Sequence, residues 1–152
     1  MTSIFTHSAM MGGKWIPLSQ YKPKVTLIVN TASLCSFTAS NIHQLNELQR
    51  TYGPRGFTVL AFPCAQFANQ EPLSPDGLKA WTADNAITFP VFDRVNVVLS
   101  KPDVHPLFEV LQRELGPIRW NYTKFLCDRS GTPMKKFQPV SLSLESEIEK
   151  YL

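Results

Sequence analysis

"VTLIVNTASLCSFT", residues 25–38, passes from a short apolar, β-branched run through a polar turn to one cysteine and a hydroxyl-rich tripeptide. The run Val25–Val29 is nearly uninterrupted, which predicts a strand covered on both faces, as in a parallel sheet. A helix is expected to follow. Ser40 or Thr38 can cap it, and Ile42, Leu45, Leu48 and Tyr52 recur at helical spacing until Gly53 and Pro54 stop it. "FTVLAF", residues 57–62, then reads as a second buried strand, closing a β-α-β unit whose strands must be parallel.

Beyond this unit comes the irregular stretch "PCAQFANQEPLSP", residues 63–75, too long for a mere connection. A helix from about Asp76 to Asp84 is predicted next, followed by the apolar patch "FPVFDRVNV", residues 89–97. Leu107, Phe108, Leu111 and Leu115 then share one helical face, ended by Gly116 and Pro117. "KFLCD" and "MKKFQ" flank the turn "RSGT", a hairpin signal, and an amphipathic helix through Leu144, Ile148 and Tyr151 closes the chain. This order predicts an α/β protein of thioredoxin-like fold, a central mixed β-sheet flanked by helices, built as a single domain over residues 1–152. No internal repeat or shift in composition divides it.

Composition narrows the function classes. Hydrophobic residues make up 43% of the chain, enough for a substantial core. No run approaches the roughly eighteen apolar residues of a membrane span, and the first residues lack a signal-peptide pattern. The net charge of +3 comes from scattered basic residues, so nucleic acid is not expected as a partner. The three cysteines are too few and too irregular for a disulfide framework, which points to free thiols and an intracellular, cytoplasmic location.

In open α/β sheets chemistry gathers beyond the carboxyl ends of the parallel strands. Cys35 and Cys64 both fall there. Cys35 stands between a strand end and a helix start, where free amides and the helix dipole favour a thiolate, the nucleophilic form. No second cysteine follows it at C-x-x-C spacing, so dithiol exchange is disfavoured. Cys64 and Cys35 follow parallel neighbouring strands, so a bridge between them is conceivable. Cys64, after an apolar run, reads more readily as a buried structural thiol and Cys127 as an inward-facing residue of the hairpin, which leaves an external thiol to resolve Cys35. His7, His43 and His105 have no partners at ligand spacing, so no metal is expected.

"NTASLCSFT", "LNELQRTYGPRGF", "LAFPCAQFANQEP", "FPVF" and "RWNYTKFLCD" resemble, in order and spacing, the successive signature blocks of the glutathione peroxidase family. The resemblance implies a thioredoxin-like fold and reduction of hydroperoxides by a peroxidatic cysteine. It also implies a catalytic tetrad, whose positions here are Cys35, Gln70, Trp120 and Asn121. The chemistry suits these types. Thiolate attack on an O–O bond gives a sulfenic acid and an alkoxide or hydroxide, and the amide NH2 groups and the indole N–H are neutral donors for sulfur and departing oxygen.

The sequence departs from the family at several places. Thr82 stands where many members place a resolving cysteine, and "SFTASN" lacks the basic residue that glutathione-using relatives often carry after the active cysteine. Ser36 replaces a glycine and Ala65 an asparagine. Only Gly116, Pro117, Ile118 and Arg119 separate the helix from Trp120, without the insertion of tetrameric members, so a monomer with an open groove for organic or lipid hydroperoxides is expected. No cofactor is expected beyond a thiol reductant, glutathione or a thioredoxin-like protein. The alternative is a peroxide sensor or redox relay that passes oxidation from Cys35 to a partner thiol.

Overall fold

The computed structural model describes residues 2–141 and 143–152. An N-terminal hairpin, β1 (Ser8–Met11) and β2 (Lys14–Pro17), precedes the β-α-β unit of β3 (Val25–Thr31), α1 (Thr38–Tyr52) and β4 (Phe57–Pro63). Then come α2 (Pro75–Asp84), α3 (Pro106–Leu115), the hairpin β5 (Lys124–Cys127) and β6 (Pro133–Phe137), and α4 (Leu144–Glu149). The main sheet runs β4-β3-β5-β6, with β3 parallel to β4 and antiparallel to β5. It is therefore mixed, as expected.

Every residue of β3 and β4 is buried, because both faces of the sheet are covered. Side chains alternate along β3. Val25, Leu27 and Val29 meet Ile42, Leu45, Leu48 and Tyr52 of α1 with Leu144 and Ile148 of α4, while Ile28 faces Leu107, Phe108 and Leu111 of α3. Each fully buried Leu, Ile or Phe contributes about 1.5–3 kcal/mol. These two cores hold the β3 and β4 ends, where Cys35 and Cys64 begin the following loops.

Two local expectations are corrected, and two features appear that the sequence did not announce. Neither Thr38 nor Ser40 caps α1: Phe37 occupies the cap, and the Thr38 hydroxyl donates to the Ala32 carbonyl at 2.6 Å. The apolar patch 89–97 is not a regular strand, although the Pro90 carbonyl accepts the Ala61 amide and the Phe92 amide donates to the Ala61 carbonyl. It contributes a single parallel bridge between Val91 and Ala61 along the edge of β4. The last helix ends at Glu149, short of Tyr151. Finally, β1 and β2 form where the sequence carries no strand pattern. Their turn is clamped by Asp93, whose carboxylate accepts the Gly12 and Gly13 amides at 2.8 and 2.9 Å.

Candidate active site

Cys35 follows the polar turn after β3 and is 6% exposed. Its carbonyl accepts the Thr38 amide at 3.0 Å, and its sulfur accepts the Phe37 amide at 3.4 Å. The Phe37 amide, at the N-cap of α1, is one of the free N–H groups at the helix start, and the sulfur accepts it. Ser36, where a glycine is usual, keeps φ out of the left-handed region and so adds no backbone strain.

The 64–74 loop is sewn to this turn. The Leu34 amide donates to the Gln70 carbonyl at 2.9 Å, and the fully buried Glu71 accepts the Ser33 amide at 3.1 Å and its hydroxyl at 2.7 Å. Ala68 and Asn69 both adopt left-handed φ, 55° and 50°, so the loop folds back just before Gln70. Two consecutive non-glycine residues in that region carry a conformational cost, which the surrounding bonds must offset.

Trp120 and Asn121 arrive from the segment before β5. Asn30, a buried polar residue inside β3, donates from Nδ2 to the Trp120 carbonyl at 3.1 Å and accepts the Tyr122 amide on its own carbonyl at 2.7 Å. Tyr122 has a φ of 65°, and its hydroxyl donates to the Ala32 carbonyl at 2.6 Å. Burial pushes that phenol well above its ordinary pKa, so it remains a neutral donor. Asn121 Nδ2 donates to Gln70 Oε1 at 3.0 Å, and the half-buried Trp120 packs edge-on against Phe67, ring centres 5.9 Å apart.

Gln70 and Asn121 are thus joined directly, and Cys35 and Trp120 belong to one apolar cluster. Among the described residues the one hydrogen bond to the Cys35 sulfur comes from Phe37, with none from Gln70, Trp120 or Asn121. A cavity of about 340 Å³ beside His105 and a groove of about 1060 Å³ along α2, which includes Thr82, are lined by none of the four residues.

The other thiols differ. Cys64 is fully buried in the core beneath α3, whereas Cys35 borders the core beneath α1, so they lie on opposite faces of the sheet. Burial raises the Cys64 pKa and pushes Cys127 up to about 12. All three cysteines are free. His105 is a structural residue, its Nδ1 accepting the Leu107 amide at 3.2 Å and so capping α3. No group of three or more His, Cys, Asp or Glu side chains suited to a metal occurs among the described residues.

Sequence reasoning missed Asn30, Glu71, Tyr122 and Lys124, the supports of the site. Asn30 stands inside a fully buried strand and Lys124 begins one. Lys124 is fully buried, with its ammonium donating to Asn41 Oδ1 and to the Tyr122 and Pro139 carbonyls. Burial pushes its pKa down to about 7.

The glutathione peroxidase family model matches residues 4–112. The chain belongs to the glutathione peroxidase family. It is 41% identical to "Glutathione peroxidase homolog BsaA" of Halalkalibacterium halodurans, over 99% of each chain. It is also 42% identical to a "Probable phospholipid hydroperoxide glutathione peroxidase" of Helianthus annuus, over 92% of this chain and 81% of the relative. The crystal structure of T. cruzi GPX1 superposes with a TM-score of 0.78 at 33% identity, covering 99% of this chain and 94% of the other. A thioredoxin-family thiol:disulfide interchange protein from Chlorobium tepidum shares the fold at TM-score 0.70 and 21% identity, covering 95% and 90%. The fold is thioredoxin-like and the protein is a peroxidase, an oxidoreductase that reduces hydroperoxides at the expense of thiols. No helix among the described residues is long and apolar enough to cross a membrane.

Proposed function

We propose that Cys35 is the peroxidatic nucleophile of this peroxidase and that Gln70, Trp120 and Asn121 complete its catalytic tetrad, all within a single domain. The observation that carries the reading is the Asn121–Gln70 bond, which unites two of the family-matching blocks beside the Cys35 turn. The thiolate attacks one oxygen of the hydroperoxide, the O–O bond breaks, and the departing alkoxide or hydroxide takes a proton to leave as alcohol or water. Sulfur keeps the attacked oxygen as sulfenic acid. One reducing thiol then displaces water to form a mixed disulfide, and a second releases the Cys35 thiol with a disulfide of the reductant.

The reductant is an external thiol, glutathione or a thioredoxin-like protein, and no further cofactor takes part. Three observations support an external partner: Cys64 lies across the sheet from Cys35, Cys127 is fully buried, and the resolving position is Thr82, whose hydroxyl donates to the Leu78 carbonyl at 2.8 Å. The short connection Gly116–Arg119 supports a monomer with an open approach to Cys35. Organic and lipid hydroperoxides join hydrogen peroxide as substrates on that reading, in keeping with the name of the Helianthus annuus relative. Free thiols suit an intracellular, cytoplasmic setting and a part in the response to oxidative stress.

Thr82 also favours one second reading, a sensor or relay in which oxidised Cys35 captures a partner thiol. Peroxide consumption measured side by side with glutathione and with a thioredoxin-type reductant separates the two. Sustained turnover with either is expected. A single stoichiometric oxidation, followed by no turnover with both, favours the relay.

A further inference from the structure

A buried ammonium is costly unless its protons are satisfied, and one without a carboxylate partner needs a reason to persist. Lys124 is 0% exposed, and its three acceptors, Asn41 Oδ1 and the carbonyls of Tyr122 and Pro139, are all neutral. Three N–H donors meet three acceptors, a match that the apolar side chain of methionine, similar in length, does not reproduce.

The acceptors belong to the two halves of the site. Asn41, itself 2% exposed, donates from Nδ2 to the Phe37 carbonyl at 3.0 Å, and the Phe37 amide donates to the Cys35 sulfur at 3.4 Å. Tyr122 directly follows Asn121 and holds its left-handed φ of 65° with its carbonyl on Lys124 at 3.0 Å and its hydroxyl on the Ala32 carbonyl at 2.6 Å. Pro139, accepting at 3.1 Å, anchors the ammonium from the loop after β6. One cation therefore connects the start of α1 with the segment that carries Trp120 and Asn121.

We propose that Lys124 is a positioning residue of the peroxidase, setting the Cys35 turn and the Trp120–Asn121 segment in one hydrogen-bonded frame. The proposal rests on Cys35 as the nucleophile. The titratable groups about this frame are the Tyr122 phenol, on which both Cys35 and Glu71 act electrostatically, together with those two groups themselves. On α1, His43, Glu47 and Arg50 are exposed; β3 carries no charged residue. On β6 and α4, Lys135 pairs with Glu147 at 3.2 Å and Lys136 donates to the Pro117 carbonyl at 3.0 Å. Lys124 has no salt-bridge partner among the described residues, so its three neutral acceptors alone hold it in place.

The test is stopped-flow oxidation by hydrogen peroxide, then reduction by thiol, in Lys124→Met and Asn41→Ala across neutral pH. Oxidation is expected to slow about tenfold in Lys124→Met and about threefold in Asn41→Ala, while reduction stays within about twofold. Unchanged oxidation in Asn41→Ala, or equal slowing of the oxidation and reduction half-reactions in Lys124→Met, overturns the proposal. Should Lys124→Met fail to fold, Asn41→Ala decides alone. Failure of the nucleophile reading shows separately, as activity retained in Cys35→Ser.

Discussion

Asn121 Nδ2 and Gln70 Oε1 lie 3.0 Å apart, one hydrogen bond joining the loop after β4 to the segment before β5. Among the described residues, Gln70 NH2 has no partner and stays available as a donor, and the buried Asn121 Oδ1 has none. Gln70→Ala and Asn121→Ala should each slow the oxidation step by about a hundredfold, the usual scale for removing one preorganised donor. Because the two act as a pair, the double variant should be little slower than the slower single variant. Stopped-flow rates that multiply independently would count against the pairing.

A bridge from Cys64 to Cys35 would require rearrangement after β4, since the Cys64 side chain packs in the core on the other face of the sheet. Its raised pKa also keeps it protonated and poorly nucleophilic. Cys64→Ser should retain turnover, and mass spectrometry after one equivalent of peroxide should find oxidised Cys35 with no dominant link to Cys64. A Cys35–Cys64 disulfide together with loss of turnover in the variant would reverse this view.

Glu71 is fully buried, and both of its oxygens are engaged by Ser33. Hydrogen bonds to a charged group are each worth about 1.5–3 kcal/mol. Glu71→Ala should destabilise the protein by about 2–4 kcal/mol by the same principle, and should free the loop that aims Gln70. Urea denaturation read alongside the peroxide oxidation rate checks both effects, and a variant unchanged in each would deny Glu71 its role.

The buried ammonium of Lys124 gives a pH dependence of defined sign. Its pKa falls from 10.5 to about 7 on folding. Between those values the unfolded chain holds more protons than the fold, so this group makes stability rise with pH, by at most about 1.4 kcal/mol per unit. Cys127 works in the opposite sense: its pKa rises from 9.0 to about 12, so stability is lost above the lower value as the unfolded thiol ionises. Urea midpoints of wild type and Lys124→Met, compared from neutrality to just below the thiol range, should show the wild type gaining on the variant as pH rises. A gap that narrows would contradict the assignment.

The parts of the molecule legible in sequence were those with a period or a block. The buried run Val25–Val29, the α1 face from Ile42 to Tyr52 and the hairpin about "RSGT" announced themselves, and the four family-matching residues stood in recognisable surroundings. What escaped depends on contacts remote in sequence. The β1–β2 hairpin is fixed by Asp93 rather than by its own pattern, and Thr38, a good cap by type, instead spends its hydroxyl on Ala32. Asn30, Glu71 and Lys124 are polar residues whose value appears only once the loops they hold are brought together. Nothing in "KFLC" says that its lysine is buried, because its acceptors lie on α1 and in the loop after β6.

The central claim is that peroxide is reduced at the Cys35 sulfur, and the most direct test is the rate of peroxide consumption by wild type and Cys35→Ser under the same thiol reductant. A serine hydroxyl, with its far higher pKa, supplies essentially no nucleophilic anion near neutrality. Activity should fall to the level of the reductant alone, with the variant folded and its thermal midpoint close to wild type. Retention of even about a tenth of the wild-type rate would place the chemistry on another group and contradict the account.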